Sequence, residues 1–511
     1  MDANRAERLG CDQRMMVLIA CLIGCLAGCQ RPREAGTQRQ DGLEKDAARP
    51  VVTLRLLVVD DPEMAGSIKK LRGEWTERTH GGRLQVLEWT LAEMFAAKSL
   101  PADLVIYPSR HLGTLVQKKW LRPLRESMLH ATQFAWADLF PAVRDREIAY
   151  GGVKYASPYG SPPLMLCYNP QLLAAARCDV PRTWTDYHQV VGRLKQQAVP
   201  CLLPLAGKSA AMTLLARAVS YASQAGHRAL LFDVDTFQPR IAGPPFVRAL
   251  EQIIAESSPE VDPNKKSVTP ETLAFAAPTL GFSEAVKKVA QGRSAMTLGW
   301  PGVACSQPLE EARVSYAMLP STKDIYSVTR NQWETNRSDT PTVLLGVAGR
   351  LASVTCSSRN ATSSFKLLLW LGGDGIATGI SASSHSTLWY RRSQVKVATR
   401  WLADCQGQVM PGLSTAAGFP ATAGIPGAAG TPQHGIGQMV ARALASEDCF
   451  LLPRISGIDD YLESLGNAVR TALAGETAIA ALQQAADQWD QITGRLGKES
   501  QQMAYRAHLG F

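Results

Sequence analysis

Val51-Val-Thr-Leu-Arg-Leu-Leu-Val-Val59 is an apolar, β-branched run that stops at Asp60-Asp61-Pro62. That composition suits a strand covered on both faces, as in a sheet between helical layers. Beyond the proline, Ile68, Leu71 and Trp75 recur at helical spacing within Ile68–Thr79. Leu84–Trp89, after Gly81-Gly82, reads as a second strand. Asp103-Leu-Val-Ile-Tyr-Pro108 reads as a third and leads into a helical Leu112–Trp120. Strand, helix, strand, strand, helix is the cadence of an α/β lobe built on a mainly parallel sheet.

Working outward, a second series follows. Met165–Tyr168 is a strand, Trp184–Gln196 is amphipathic, and Met212–Ala225 and Phe246–Glu256 are further helices. Phe282–Ala290 is helical, and Ser294–Gly299 enters a strand ending at Trp300-Pro301-Gly302. Met410–Gly437 is rich in Gly, Ala and Pro without an apolar period, and reads as a loop insertion. Apolar stripes at Leu462, Leu465, Val469 and Leu473, then Ile479, Leu482, Trp489, Ile492 and Leu496, predict a closing helical pair. At 511 residues the chain exceeds one compact core, so two lobes are expected.

The N-terminus carries an export signal. Met15-Met-Val-Leu-Ile-Ala-Cys-Leu-Ile-Gly-Cys-Leu-Ala-Gly28 follows Arg14 and is too short for a span of roughly 20 residues, but has the length of a signal-peptide core. It ends in Leu26-Ala27-Gly28-Cys29, which resembles the bacterial lipobox and implies lipid attachment at Cys29; Leu22-Ile23-Gly24-Cys25 makes Cys25 the alternative. Residues 30–50 read as a flexible tether. Gln30 is not the Asp that resembles an inner-membrane retention signal, so inner and outer membrane both remain open. The net charge of +9 comes without a basic stripe interleaved with aromatics, so a nucleic-acid partner is not expected.

Tyr150-Gly-Gly-Val-Lys-Tyr-Ala-Ser-Pro-Tyr159 with Leu166-Cys-Tyr-Asn-Pro-Gln-Leu-Leu173, Val180-Pro-Arg-Thr-Trp-Thr-Asp186, Ala290-Gln-Gly-Arg-Ser-Ala-Met296 and Ala474-Gly-Glu-Thr-Ala-Ile-Ala-Ala-Leu482 occur in that order. Together they resemble the family-one extracellular solute-binding proteins, to which maltose-binding protein belongs. The resemblance implies an α/β fold of two lobes joined by crossovers, with a ligand cleft between them. It implies a small polar ligand, a sugar or oligosaccharide, captured by hinge closure and delivered to ABC permease subunits. A monomer on the periplasmic face of a membrane is expected. The expected division is 51–157 and 346–388 for the first lobe, and 158–345 and 389–511 for the second, after a signal segment 1–28 and a tether 29–50. Thr322–Thr340 and Met410–Gly437 are longer than the family pattern.

Strand ends in open α/β sheets point into such crevices. That logic selects Asp60, Asp61, Tyr107, Ser109 and Arg110, then Tyr159 beside the first crossover and Trp300 after a second-lobe strand. Trp389, with Tyr390, lies near a later crossover, and Tyr461 matches a family position that often supplies an aromatic. Asp60 or Asp61 could equally cap the next helix, and Tyr107 and Tyr159 could equally be core. Gly207-Lys208-Ser209 looks like the tail of a phosphate loop, but Leu202 stands where glycine is needed. Gly373-Asp-Gly-Ile-Ala-Thr-Gly379 follows a helix rather than a strand, the wrong setting for a dinucleotide loop. No catalytic set, cofactor motif or metal-ligand spacing is found among the eight His and the cysteines. An exported glycan-acting enzyme and a permease-free sensor or scaffold are the alternatives.

Overall fold

The computed structural model describes residues 51–222, 228–258, 279–301, 314–335, 341–397, 432–446 and 449–511. The signal segment, Cys25, Cys29 and the tether lie outside the described residues, as does the 410–431 part of the Gly/Ala/Pro-rich stretch.

Thr53–Val59 pairs in parallel with Arg83–Trp89 on one side and Leu104–Pro108 on the other. This inner position accounts for its composition, since Leu56, Leu57, Val58 and Val59 are all buried. Arg350–Val354 then joins Leu104–Pro108 in antiparallel register, and Ser157–Pro158 completes the five-stranded sheet. The sheet is therefore mixed, with Arg350–Val354 running against the other four strands. A second sheet places Met165–Tyr168 between Met296–Gly299 and Ser315–Met318, antiparallel on both sides.

Helices cover both sheets. Pro62–Lys70 starts at Asp61, whose side chain accepts from the Met64 N–H, with Pro62 already at a helical φ. Trp184–Gln196 starts with a capping box in which Thr183 and Asp186 satisfy each other's backbone N–H groups. That exchange is the physical content of the Thr-Trp-Thr-Asp motif. Apolar residues segregate into two large cores, one around the five-stranded sheet and one around the second sheet and the helices Lys208–Ala222, Pro244–Ser257, Ile458–Leu473 and Ala478–Leu496.

Among the described residues the two cores are stitched together by crossings that lie side by side, the first through Leu164–Met165, the second through Leu344–Leu345 and the third through Phe450–Leu451. Leu344–Leu345 and Phe450–Leu451 pair in parallel, and the Leu164 N–H donates to the Leu344 carbonyl at 3.1 Å. Successive strand residues face opposite sides, and the crossings use this period directly. Val343, Leu345, Cys449, Leu451 and Met165 enter the first core, while Leu344, Phe450, Leu452, Leu164 and Leu166 enter the second.

Two expectations are corrected by these cores. Trp389 and Tyr390 were placed at the start of the second lobe, but they pack in the first core with Ile436, Val440, Ala443 and Leu444. The chain returns to the second lobe at Phe450–Leu452 instead of at 389. The loop expected to run to Gly437 gives way to a helix, Pro432–Ala445, whose apolar residues Ile436, Val440 and Leu444 cover the first core. A further helix, Lys498–Leu509, follows the expected closing pair.

Candidate functional site

The ends of Thr53–Val59 and Leu104–Pro108 bring five of the sequence candidates close together. Asp60 adopts a left-handed backbone (φ 51°), which a short polar side chain tolerates, and its Oδ1 accepts from the Leu91 N–H at 3.1 Å. Its carbonyl accepts from Arg350 Nη2 at 2.8 Å. Asp61 is buried, ion-paired with Arg350 Nε at 3.0 Å and bonded by the Ser384 hydroxyl while it caps its helix. Asp61 is therefore a structural anchor whose lone pairs are already taken. Tyr107 is fully buried and shares a hydrogen bond with Ser353 at 2.9 Å. Burial pushes its phenol well above the ordinary range. Ser109 is buried against the second crossing, its N–H donating to the Gly349 carbonyl at 3.2 Å.

Arg110 reaches across the seam. Its Nη1 donates to the Val347 carbonyl at 3.2 Å, and its Nε pairs with Asp459 Oδ1 at 3.1 Å. Asp459 lies in the first turn of Ile458–Leu473, where a carboxylate suits the positive end of the helix dipole. The same carboxylate also holds Lys208 Nζ at 3.1 Å and stands 3.5 Å from His111 Nε2. Burial alone would raise the Asp459 carboxyl, but Arg110, then His111 and Lys208, outweigh it and keep it below the ordinary range. Burial, reinforced by the charge of Arg110, pushes the His111 imidazole down to about 3, so it is neutral at physiological pH. Arg110 belongs to the first lobe, whereas Asp459 and Lys208 belong to second-lobe helices, so this cluster ties lobe to lobe beside the crossings.

The other candidates scatter. Tyr159 is fully buried in the first core, and its hydroxyl has no partner among the described residues. Trp389 and Tyr390 are likewise fully buried there. Tyr461 is buried in the second core, bonded to Thr493 at 2.9 Å and edge-on to Trp489. These four positions were chosen for their place near the crossovers or a match to a family aromatic, but their rings already face other core residues. Trp300 differs. It ends the strand Met296–Gly299 part-exposed, packs edge-on against Phe282 at 4.5 Å, and its indole N–H has no partner among the described residues. Away from the seam, an open groove of about 570 Å³ between Ile458–Leu473 and Ala478–Leu496 is lined by Asp460, Glu463, Asn467, Gln488 and Arg495.

Residues 75–200 match the family model described as bacterial extracellular solute-binding protein. The whole fold is similar to the sugar-binding protein MalE of Xanthomonas citri, with a TM-score of 0.62 at 18% identity over 87% of this chain and 98% of that one. The fold is that of the bacterial extracellular solute-binding proteins. Two further solute-binding structures share it. One, from Agrobacterium radiobacter K84 and in complex with ribitol, has a TM-score of 0.61 at 17% identity, covering 86% of this chain and 98% of that chain. The other, from Agrobacterium vitis S4 with bound D-mannitol, has a TM-score of 0.55 at 18% identity, covering 88% and 99%. No curated protein matches the chain. The crossings join the two cores, and Arg110, Asp459 and Lys208 lie beside them. Sequence reasoning missed Asp459, His111, Arg350 and Lys208. Lys208 was visible only inside the rejected Gly207-Lys208-Ser209 motif, which proves to be a turn (Gly207 φ 49°) opening a 15-residue helix.

Proposed function

We propose that this chain is the extracytoplasmic, lipid-anchored receptor of an ABC importer, capturing a small polar solute, a sugar or polyol, by hinge rotation and handing it to permease subunits. The observation that carries this reading is the pair of separate cores joined by crossings lying side by side. Such a joint lets the lobes rotate as bodies while each keeps its packing. A ligand that touches both lobes shifts the balance toward closure by its differential affinity for the closed form. Micromolar binding corresponds to about 8 kcal/mol, ample to offset a closure cost of a few kcal/mol. Among the sequence candidates, Trp300, Asp60 and Arg110 keep some exposure and are the contacts we assign to the ligand. The lipobox ending at Cys29 supports the anchor.

The test is a thermal-shift screen of sugars, polyols and oligosaccharides on the full chain. A ligand at a hundred times its Kd contributes about 2.7 kcal/mol, a shift of a few degrees for a protein of this size. We expect such a shift with no chemical conversion of the ligand, and a smaller one in Trp300→Ala at equal concentration. A screen in which no class of polar solute moves the wild-type Tm sinks the proposal. Gln30 following Cys29 favours a second reading, a sensor sorted to the outer membrane. Fractionation with the outer membrane and failure to crosslink to any permease would select it.

A further inference from the structure

Glu147 closes the π-helical turn Ala142–Glu147 and is fully buried where all the crossings converge. Neither carboxyl oxygen has a hydrogen-bond partner among the described residues. The hydroxyls of Ser109 and Ser161 face it, the first at the end of a sheet strand and the second in the first crossing. Both hydroxyls spend their protons on the Ala348 carbonyl of the second crossing, at 3.4 and 2.6 Å. The side that Glu147 meets therefore offers acceptors. A protonated carboxyl can donate to a serine oxygen there, whereas an ionised one must compete with the Ala348 carbonyl for the same two hydroxyl protons.

The charged and titratable neighbours come from every element packed around it. Arg454, just beyond the third crossing, is buried and gives its guanidinium to the carbonyls of Arg146, Glu147 and Ala149 and to His508 Nδ1. Arg146 bonds the Cys449 carbonyl and thiol. His508 lies on Lys498–Leu509, and Tyr150 and Tyr107 face Arg454. Burial pushes Glu147 up to about 7 against the partial relief from Ser161 and Arg454. The neighbours keep one charge state between pH 6 and 8. Burial lowers Arg454 only to about 10, holds His508 well below its ordinary value, and raises Cys449, Tyr150 and Tyr107.

We propose that Glu147 is a proton-operated switch of the hinge. With its carboxyl protonated, the crossings pack around it as described. On loss of the proton to solvent, the carboxylate draws the Ser109 and Ser161 hydroxyls off the Ala348 carbonyl, and an arrangement in which the second crossing is released from them becomes favoured. One proton controls the balance, so the described arrangement loses up to about tenfold in population per pH unit between the ordinary carboxyl range and about 7, and above that the balance levels off because the group is ionised in both arrangements. This holds whatever solute the cleft takes.

Small-angle X-ray scattering of the full chain between pH 6 and 8.5 tests it. The wild type should change profile as pH rises from 6 to 7 and hold steady above that, and Glu147→Gln should keep the acid profile throughout. A wild-type profile that does not move, or a Glu147→Gln profile that moves with it, overturns the proposal. Should Glu147→Gln fail to fold, infrared spectroscopy of the wild type decides. The carbonyl stretch of a protonated carboxylic acid must persist above pH 5.5 and vanish in step with the scattering change. Its absence above pH 5.5 overturns the proposal equally.

Discussion

The same buried groups set how stability depends on pH, and the slope can be worked out group by group for pH 5 to 6. His111 is pushed down to about 3 and His508 well below 6.5, so the folded chain holds both imidazoles neutral. The unfolded chain protonates both in this window. Their stabilising contribution is present above the unfolded value and is lost as pH falls. Glu147 has the opposite sign. Its folded value of about 7 exceeds the ordinary 4.5, so its contribution is full in acid and is lost as pH rises. Asp459, Glu256 and Asp233 are held low and are ionised in both states, and His188, held high by Glu256, is protonated in both. The unfolded chain thus binds two protons that the folded chain does not, and the folded chain binds one that the unfolded chain does not. The net is one proton, which makes the wild type more stable with rising pH by about 1.4 kcal/mol per unit. Glu147→Gln removes the opposing proton and doubles the slope to about 2.8 kcal/mol per unit. Urea unfolding at pH 5.0, 5.5 and 6.0, with m-values held to agree, measures both slopes. A Glu147→Gln slope equal to or below that of the wild type refutes the assignment of the buried proton to Glu147.

Three further outcomes follow from the packing. Arg217 and Glu256 form a bidentate ion pair buried in the second lobe, so Glu256→Gln leaves an uncompensated guanidinium and costs about 3–5 kcal/mol by urea unfolding; a loss under 1 kcal/mol would show that water reaches the pair. A double-mutant cycle of Arg110→Gln and Asp459→Asn should give a coupling of about 1–2 kcal/mol, between that of a surface pair and that of a buried one, because the pair is partly buried and charge-assisted; strict additivity would mean that the lobes do not share it. Tyr461→Phe should lose about 1 kcal/mol of stability, from the bond to Thr493, without moving the affinity for any solute found in the screen; a tenfold change in affinity would return Tyr461 to the ligand.

How far the sequence revealed the molecule depended on where each signal was stored. Met165–Tyr168, Trp184–Gln196 and Phe282–Ala290 occupy the spans their composition predicts, because each element's pattern is local. Lys498–Leu509 was missed because its buried face is Gln501, Ala504, Tyr505 and His508, spaced as a helix but not apolar. Arg350–Val354 carries an arginine and a serine into a fully buried strand, which hides its strand character from a hydrophobic count. The seam was illegible for another reason. Arg110 and Asp459 are 349 positions apart, and nothing in either segment announces the other. Tyr107, Tyr159, Trp389, Tyr390 and Tyr461 are buried in the cores through a property they share with ligand contacts. Tyrosine and tryptophan serve cores and sugars by the same amphipathic ring, and composition cannot separate the two.

The crossings constrain how the lobes can move. Because neighbouring residues of one strand enter opposite cores, sliding a crossing by a single position would turn Leu344 and Phe450 toward the first core and Leu345 and Leu451 toward the second. Each slip would therefore exchange several buried side chains at once, at about 1.5–3 kcal/mol for every large apolar group exposed. Rotation about the crossings avoids that cost, since the alternation is kept while backbone torsions outside the paired residues change. Those torsions are available at Gly160 and Gly349, which flank the crossings at φ 97° and 112°, and where a Cβ would overlap the Leu388 carbonyl and Ser161. The chain thus combines a paired segment that resists sliding with glycines that admit twisting. Ser161, at the junction of the two, is the residue that faces Glu147. A charge appearing on Glu147 acts on the twistable backbone and leaves both cores intact, which is why one proton can alter the lobe arrangement without unfolding either lobe.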